Sequence, residues 1–391
     1  GRSWRSGSPA SPDGTWAEMA ATGAPFRVDG PGRRVWADPR DPAVFGDPYP
    51  LYSEVHDACP TFFWEDLGHW CVAGFDDVTA LLRDRRLGRQ GLVPPRTPAN
   101  ARWWETERYS LLALDPPEHT QMRGLVNRAF LSRQVERLRP RIAEIAGGLI
   151  DGFVADGSVD LLPVYAGPLP AIVIAELIGV PVERAGDLLA WSNRMVQMYT
   201  FGVDDEVVAD ADDATAAFSA FVAEQIDDHR RSPRPDLLTH MLDVEVDGEH
   251  LSDTEIIATT ILLLNAGHEA TVHTTGNAVR TILAGDVDPS ELLADDAAVA
   301  ATVEECLRIE APLHLFTRYA NEEVEIDDGV VLAPGEVVGL LYGAANRDPR
   351  RFADPDRFDP SRPDLGHVSF GGGIHHCIGA PLARIELQES L

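Results

Sequence analysis

The chain has 391 residues, and 33 Lys and Arg stand against 63 Asp and Glu, a formal charge of −30. That balance excludes broad binding to a phosphate backbone and disfavours docking on an anionic membrane, since both need a basic face. With 44% hydrophobic and 25% charged residues the chain is a folded globular protein, not a disordered one.

The four cysteines, Cys59, Cys71, Cys306 and Cys377, have no paired spacing, so neither a disulfide framework nor a zinc ribbon is supported. A reducing cytoplasm is the expected compartment. The most apolar run, Ile256 to Leu264, is far shorter than the ~20 residues that span a bilayer. Residues 1–46 read as a flexible extension without a secretory apolar core, with Met19 a candidate start. Residues 47–391 read as one domain.

Along the chain, Leu51–Ala58 reads as a helix, followed by strands Thr61–Trp64 and His69–Val72 around a Gly68 turn, then a helix Phe75–Leu82. Residues 88–104, with Pro94, Pro95 and Pro98, read as a long loop. Apolar positions near a 3.6 period predict helices at Glu118–Phe130, Ser132–Phe153, Leu169–Ile178, Ala185–Met198 and Ala209–Asp228. Ser252 and Glu255 form a capping box that opens a helix running to Ala284, and Ala297–Ile309 is helical. After Pro312 come short strands, Val324–Ile326, Val330–Leu332 and Val337–Leu341. The fold class is mainly α with a minor β region (α+β).

The most informative stretch is Phe370-Gly371-Gly372-Gly373-Ile374-His375-His376-Cys377-Ile378-Gly379-Ala380-Pro381. Its glycines permit a loop that lies flat against a large ligand. Leu382–Leu391 is helical in pattern, so Cys377 falls at a helix N-terminus, where the dipole lowers a thiol's pKa. A thiolate held there suits iron ligation and favours O–O cleavage. A phosphate loop would need a GK[ST] run that is absent. A zinc cluster of His367, His375, His376 and Cys377 fits a tetrahedral ion poorly, because adjacent residues cannot easily surround it. Spacing favours a haem thiolate and leaves the zinc and purely structural readings open.

This segment is similar to the cytochrome P-450 haem-binding pattern, Phe-Gly-x-Gly-x-His-x-Cys-x-Gly, at every defined position. The resemblance implies haem b (iron protoporphyrin IX), lying between the long oxygen-handling helix and the Cys-loop helix. Cys377 is then the axial iron ligand, His375 a propionate contact and Phe370 a packing residue beside the sulfur, with Gly371 and Gly379 shaping the loop. His119 and Arg123, in Asp-Pro-Pro-x-His-x-x-x-Arg, and Arg318 match further propionate contacts. Glu305, Arg308 and Arg357 match a structural triad. The stretch Ala266-Gly267-His268-Glu269-Ala270-Thr271 resembles the oxygen-handling segment, with Glu269 as the acid. Ala270 stands where the family has threonine. Thr271 is next along, but a step of ~100° turns it away, so a substrate hydroxyl or ordered water is expected to complete proton delivery.

By resemblance the chain is a haem-thiolate monooxygenase that hydroxylates or epoxidises a small organic substrate of apolar to mixed character. Electrons come from NAD(P)H through a separate ferredoxin or flavodoxin and its reductase, and an acidic partner is steered by Arg123, Arg128 and Arg384. Substrate-pocket candidates are the 88–104 loop with Trp103 and Trp104, Met195–Phe201, Leu263, His268 and Leu313–Phe316. A monomer without nucleic-acid or membrane partners is expected. A peroxide-driven peroxygenase is the alternative, and a haem-based sensor a third reading. The family continues beyond the helix in which this chain ends at Leu391, so a C-terminal truncation is expected.

Overall fold

Ser252 opens the longest helix, Asp253–Ala284. Its hydroxyl accepts from the Glu255 N–H at 3.3 Å, and the Glu255 carboxylate accepts from the Ser252 N–H at 2.8 Å. This reciprocal cap satisfies donors that a first helical turn leaves unpaired. The computed structural model describes Met19 and residues 21–127, 130, 132–246 and 249–391. They form two units, one mainly helical (Leu92–Pro312, Asp359–Pro363, Cys377–Leu391), the other built on a sheet (up to Gly91, Leu313–Phe358, Asp364–His376).

In the helical unit the long helix packs against Ala101–Glu107, Pro168–Ile178, Ala185–Val196, Asp205–Arg231, Asp296–Ile309 and Ala380–Ser390. Ile174, Ile178, Phe218, Ile226, Leu238, Ile256, Ile261 and Leu264 share one buried core. Gly267 marks the close approach to Pro168–Ile178: a Cβ there would sit 2.9 Å from Ile174 Cγ1. A helix-interior glycine costs about 1 kcal/mol against alanine, and here it removes that clash.

Three readings shift in this unit. The stretch Ser132–Phe153 is broken into Ser132–Val135, a 3-10 turn Glu136–Leu138 and Arg139–Phe153, because Pro140 enters in the first turn of the last piece. The helix from Glu118 ends at Val126; Arg128 lies outside the described residues. The expected 88–104 loop contains the start of a helix, Ala101–Glu107. Its first N–H groups are held by a distant carboxylate: Asp212 Oδ1 accepts from Arg102 N at 2.7 Å and Trp103 N at 2.9 Å.

In the other unit a seven-stranded sheet runs in the order Phe26–Asp29, Arg34–Ala37, Thr61–Trp64, His69–Val72, Val337–Leu340, Phe316–Ala320, Leu87–Gly88. Neighbours are antiparallel except Arg34–Ala37 with Thr61–Trp64 and His69–Val72 with Val337–Leu340. Alternation along a strand sends successive side chains to opposite faces. Cys71 therefore joins Val35, Phe62 and Trp64 in one core, while Val72 joins Val338 and Leu340 in another. The first two strands lie within the stretch read as a flexible extension. Val35, Trp36 and Ala37 are buried, so residues 26–37 are folded chain. The strand Phe316–Ala320 was also not foreseen. A small hairpin, Val324–Asp327 with Val330–Leu332, completes the β region.

Candidate active site

The helical unit carries the thiol. Ala380–Ser390 begins after Gly379, with Pro381 in its first turn. Of the four cysteines, Cys59, Cys71 and Cys306 are buried and Cys377 is half-buried. Burial pushes the Cys377 thiol above its ordinary value. The N–H groups of Gly379 and Ala380, which hydrogen-bond the sulfur, and the guanidiniums of Arg123 and Arg384 act in the opposite sense. The expectation that the helix N-terminus and its N–H groups lower this thiol's value meets a larger opposing influence, since burial raises it while those N–H groups act in the expected sense.

Arg123 lies on Glu118–Val126, one turn after the buried His119, so the two share a face. Burial pulls Arg123 below its usual value, while its charge still draws on Cys377. Arg384 is engaged by Glu304 through two contacts, Nε to Oε1 at 2.6 Å and Nη2 to Oε2 at 2.9 Å. It is therefore a neutralised pair and not the steering cation expected.

The middle of the long helix is open on one side. Ala266, Ala270 and His273, spaced i, i+4 and i+7, are exposed, whereas Leu263, Leu264, His268 and Thr271 are buried. At ~100° per residue the exposed three fall on one stripe and His268 on the far side. His268, expected at the pocket, thus faces the core; Leu263 is buried but lies only about 20° from Ala270, beside the stripe of Ala266, Ala270 and His273. His268 is fixed by Nδ1, which donates to the Leu264 carbonyl at 2.9 Å; burial holds this imidazole below its usual value, hence neutral. Glu269, at the stripe's edge, is half-buried. Burial raises its carboxyl above the ordinary value, with His273 acting against that. Thr271 reaches the Gly267 carbonyl only at 3.5 Å, and Thr274 donates to the Ala270 carbonyl at 2.7 Å.

Glu305 and Arg308, i and i+3 on Asp296–Ile309, are both fully buried and pair through two 2.7 Å contacts. The same carboxylate accepts from the Asp359 N–H at 2.9 Å and from Arg362 Nε at 3.0 Å. Arg362 was not singled out in sequence. Arg357 is an exposed residue whose N–H donates to the Asp354 carbonyl at 3.0 Å.

In the sheet unit the glycine loop is built by sterics. Gly371 and Gly373 have φ of +67° and +65°. A Cβ on Gly373 would lie 2.1 Å from the Leu82 carbonyl oxygen, so the glycines answer a local turn as much as any ligand. His375 closes a 3-10 turn and Phe370 packs 5.6 Å from the His367 ring. Asn346, fully buried and unremarked in sequence, anchors the approach to the loop. Its amide donates to Ser369 Oγ at 2.7 Å and its Oδ1 accepts from the Val368 N–H at 2.8 Å. Arg318 is 2% exposed, with Nη1 on the Thr317 carbonyl at 3.2 Å.

Among the described residues no group of three or more His, Cys, Asp or Glu is placed to hold a metal ion, so the zinc reading has no support. What is present fits haem instead. A single sulfur ligand with backbone donors requires no further protein ligand, and the methyl side chains of Ala266 and Ala270 leave room for a flat group against the helix.

The cytochrome P-450 family model matches residues 279–391. Cytochrome P-450 107B1 of Saccharopolyspora erythraea is 40% identical over 82% of this chain and 80% of its own length. The cytochrome P-450 monooxygenase PikC of Streptomyces venezuelae is 38% identical over 88% and 82%. Among solved structures, P-450BioI in complex with hexadec-9Z-enoic acid ligated acyl carrier protein superimposes with a TM-score of 0.84 at 31% identity, covering 89% of this chain and 90% of that one.

Proposed function

The chain belongs to the cytochrome P-450 family, and from that premise we propose that it hydroxylates or epoxidises a mid-sized organic substrate with electrons drawn from NAD(P)H through a separate ferredoxin or flavodoxin and its reductase. Membership makes the chain an oxygen-incorporating oxidoreductase with a haem-iron cofactor. Haem b, when bound, supplies the redox iron at which dioxygen is activated.

The observation that carries the reading is the Cys377 sulfur, met by the N–H groups of Gly379 and Ala380 and by the Arg123 charge. Those donors stabilise a thiolate once iron replaces its proton, and they limit how much negative charge the sulfur passes on. His119 and Arg123, which share one helix face, would donate to haem carboxylates, and Arg318 and His375 are proposed for the same role. Burial raises the Glu269 carboxyl above its ordinary value, so it holds a proton more tightly than a solvated glutamate and can hand one on beside the stripe. Ala270 offers no hydroxyl there, and Thr271 is turned into the core, which supports a substrate hydroxyl or ordered water as the last relay member. Thr274 cannot serve, because its hydroxyl is spent on the Ala270 carbonyl. The open stripe is small and apolar at Ala266 and Ala270 and polar at His273, which suits a substrate of mixed character, such as a polyketide, terpene or steroid. Among the described residues no helix is long and apolar enough to cross a membrane.

The test is turnover with a bacterial ferredoxin, its reductase and NADH against a library of such compounds. Oxygenated product in proportion to NADH consumed supports the reading. Product formed only with hydrogen peroxide, and none with the electron-transfer chain, would establish a peroxygenase instead.

A further inference from the structure

The strand Phe316–Ala320 carries an arrangement that the haem reading leaves unused. Two guanidiniums lie against the Phe316 ring, Arg89 with Cζ 4.2 Å and Arg318 with Cζ 4.8 Å from its centroid. Arg89 is held there by Nη1, which donates to the Thr317 carbonyl at 2.8 Å. Tyr342 lies against the same ring, 5.9 Å between centroids, and is 3% exposed. Its hydroxyl abuts the glycine loop: a Cβ on Gly371 would be 3.2 Å away.

Arg318 and the Tyr342 side chain share a hydrogen bond. A guanidinium has donors only, so the phenolic oxygen accepts, and the phenol's own hydrogen is left to be given elsewhere. Burial keeps the phenol above its ordinary value, so that hydrogen is retained. One buried corner therefore gathers a fixed guanidinium, an O–H donor oriented by it, and a second cation on the shared ring. Planar N–H donors beside an O–H donor are what a carboxylate takes.

We propose that Tyr342 and Arg318 form a two-donor clamp for one haem carboxylate, with Tyr342 both orienting the guanidinium and donating its own O–H to the anion. This rests on the reading that Arg318 serves a haem propionate. Phe316 is the platform that sets the guanidinium plane, and Arg89 adds charge without needing to touch the anion.

The test is the rate of haem transfer from holoprotein to excess apomyoglobin, for wild type, Tyr342→Phe, Arg318→Gln and the double variant. Tyr342→Phe should speed loss by about tenfold, the scale of one hydrogen bond to a charged group. Arg318→Gln should speed it more, and the double variant should exceed Arg318→Gln while falling short of the product of the two single effects, because the phenol both donates to the anion and works through the guanidinium. Effects that multiply in the double variant overturn the clamp. An unchanged rate in Arg318→Gln overturns the underlying propionate assignment as well. Should Arg318→Gln fail to fold, iron protoporphyrin dimethyl ester decides with Tyr342→Phe alone. With both carboxylates esterified, wild type and variant should release the group at equal rates, and a persisting difference shows a merely structural tyrosine.

Discussion

Two carboxylates of the helical unit meet opposite surroundings. Glu305 is fully buried and takes four hydrogen bonds, two from Arg308, one from Arg362 and one from the Asp359 N–H. Glu269 is half-buried on the long helix, where burial holds its proton and His273 pulls the other way. Both positions are acids on helices; what differs is whether donors arrive to match the charge. A carboxylate whose lone pairs are matched ties segments together. One that is desolvated without such matching holds its proton more tightly, as the proposed relay beside Ala270 requires.

Removing charge from each should therefore act in opposite directions. The largest effect is expected for Glu305→Gln, which removes the negative charge that faces the buried Arg308 guanidinium. Urea unfolding should show a loss of about 3–5 kcal/mol. A loss below 1 kcal/mol would mean that the pair is replaceable and the contrast false.

Glu269→Gln should do the reverse to stability while harming turnover. Its folded-state carboxyl lies above the ordinary value, so wild type carries a penalty that is absent below about pH 4.5, grows as pH rises from there and is complete above the folded value. The variant lacks that penalty. It should therefore unfold at higher urea than wild type at pH 8, and the difference should vanish as pH approaches 4.5. Turnover should fall about 100-fold, the scale of a lost general acid. A variant less stable than wild type at pH 8 would place Glu269 with Glu305 as a paired charge.

The smallest effect is expected for Ala270→Thr. A hydroxyl placed on the open stripe competes with the substrate hydroxyl or water, so the ratio of product to NADH consumed should change while the urea midpoint does not. An unchanged ratio with the native substrate removes the relay assigned to that position.

Local chemistry made some of this legible beforehand. The Cys377 loop, the Ser252 cap and the Glu305–Arg308 pair are each written within a few residues, so pattern alone located them. Pro140 was equally visible, and its break in the Ser132–Phe153 helix follows from a missing N–H. Other features depend on partners far along the chain. The helix Ala101–Glu107 starts where Asp212 caps it from a helix about a hundred residues on. Arg362 closes on Glu305 and Asn346 on Val368 by the same kind of distant meeting. The two N-terminal strands are four residues each and gain their burial only by pairing with each other and with Thr61–Trp64. The Cys377 thiol shows what local pattern leaves out: the N–H donors of Gly379 and Ala380 follow from the helix start, but burial, the larger influence, depends on the surrounding fold.

The most direct measurement is the absorption spectrum of purified holoprotein reduced under carbon monoxide, for wild type and Cys377→Ser. A thiolate from Cys377 on the iron should give wild type the strongly red-shifted Soret band of a haem thiolate, and the serine variant, still binding haem, should lack it. Folded, haem-loaded wild type without that band, or a serine variant that retains it, would contradict the assignment of Cys377 as the iron ligand.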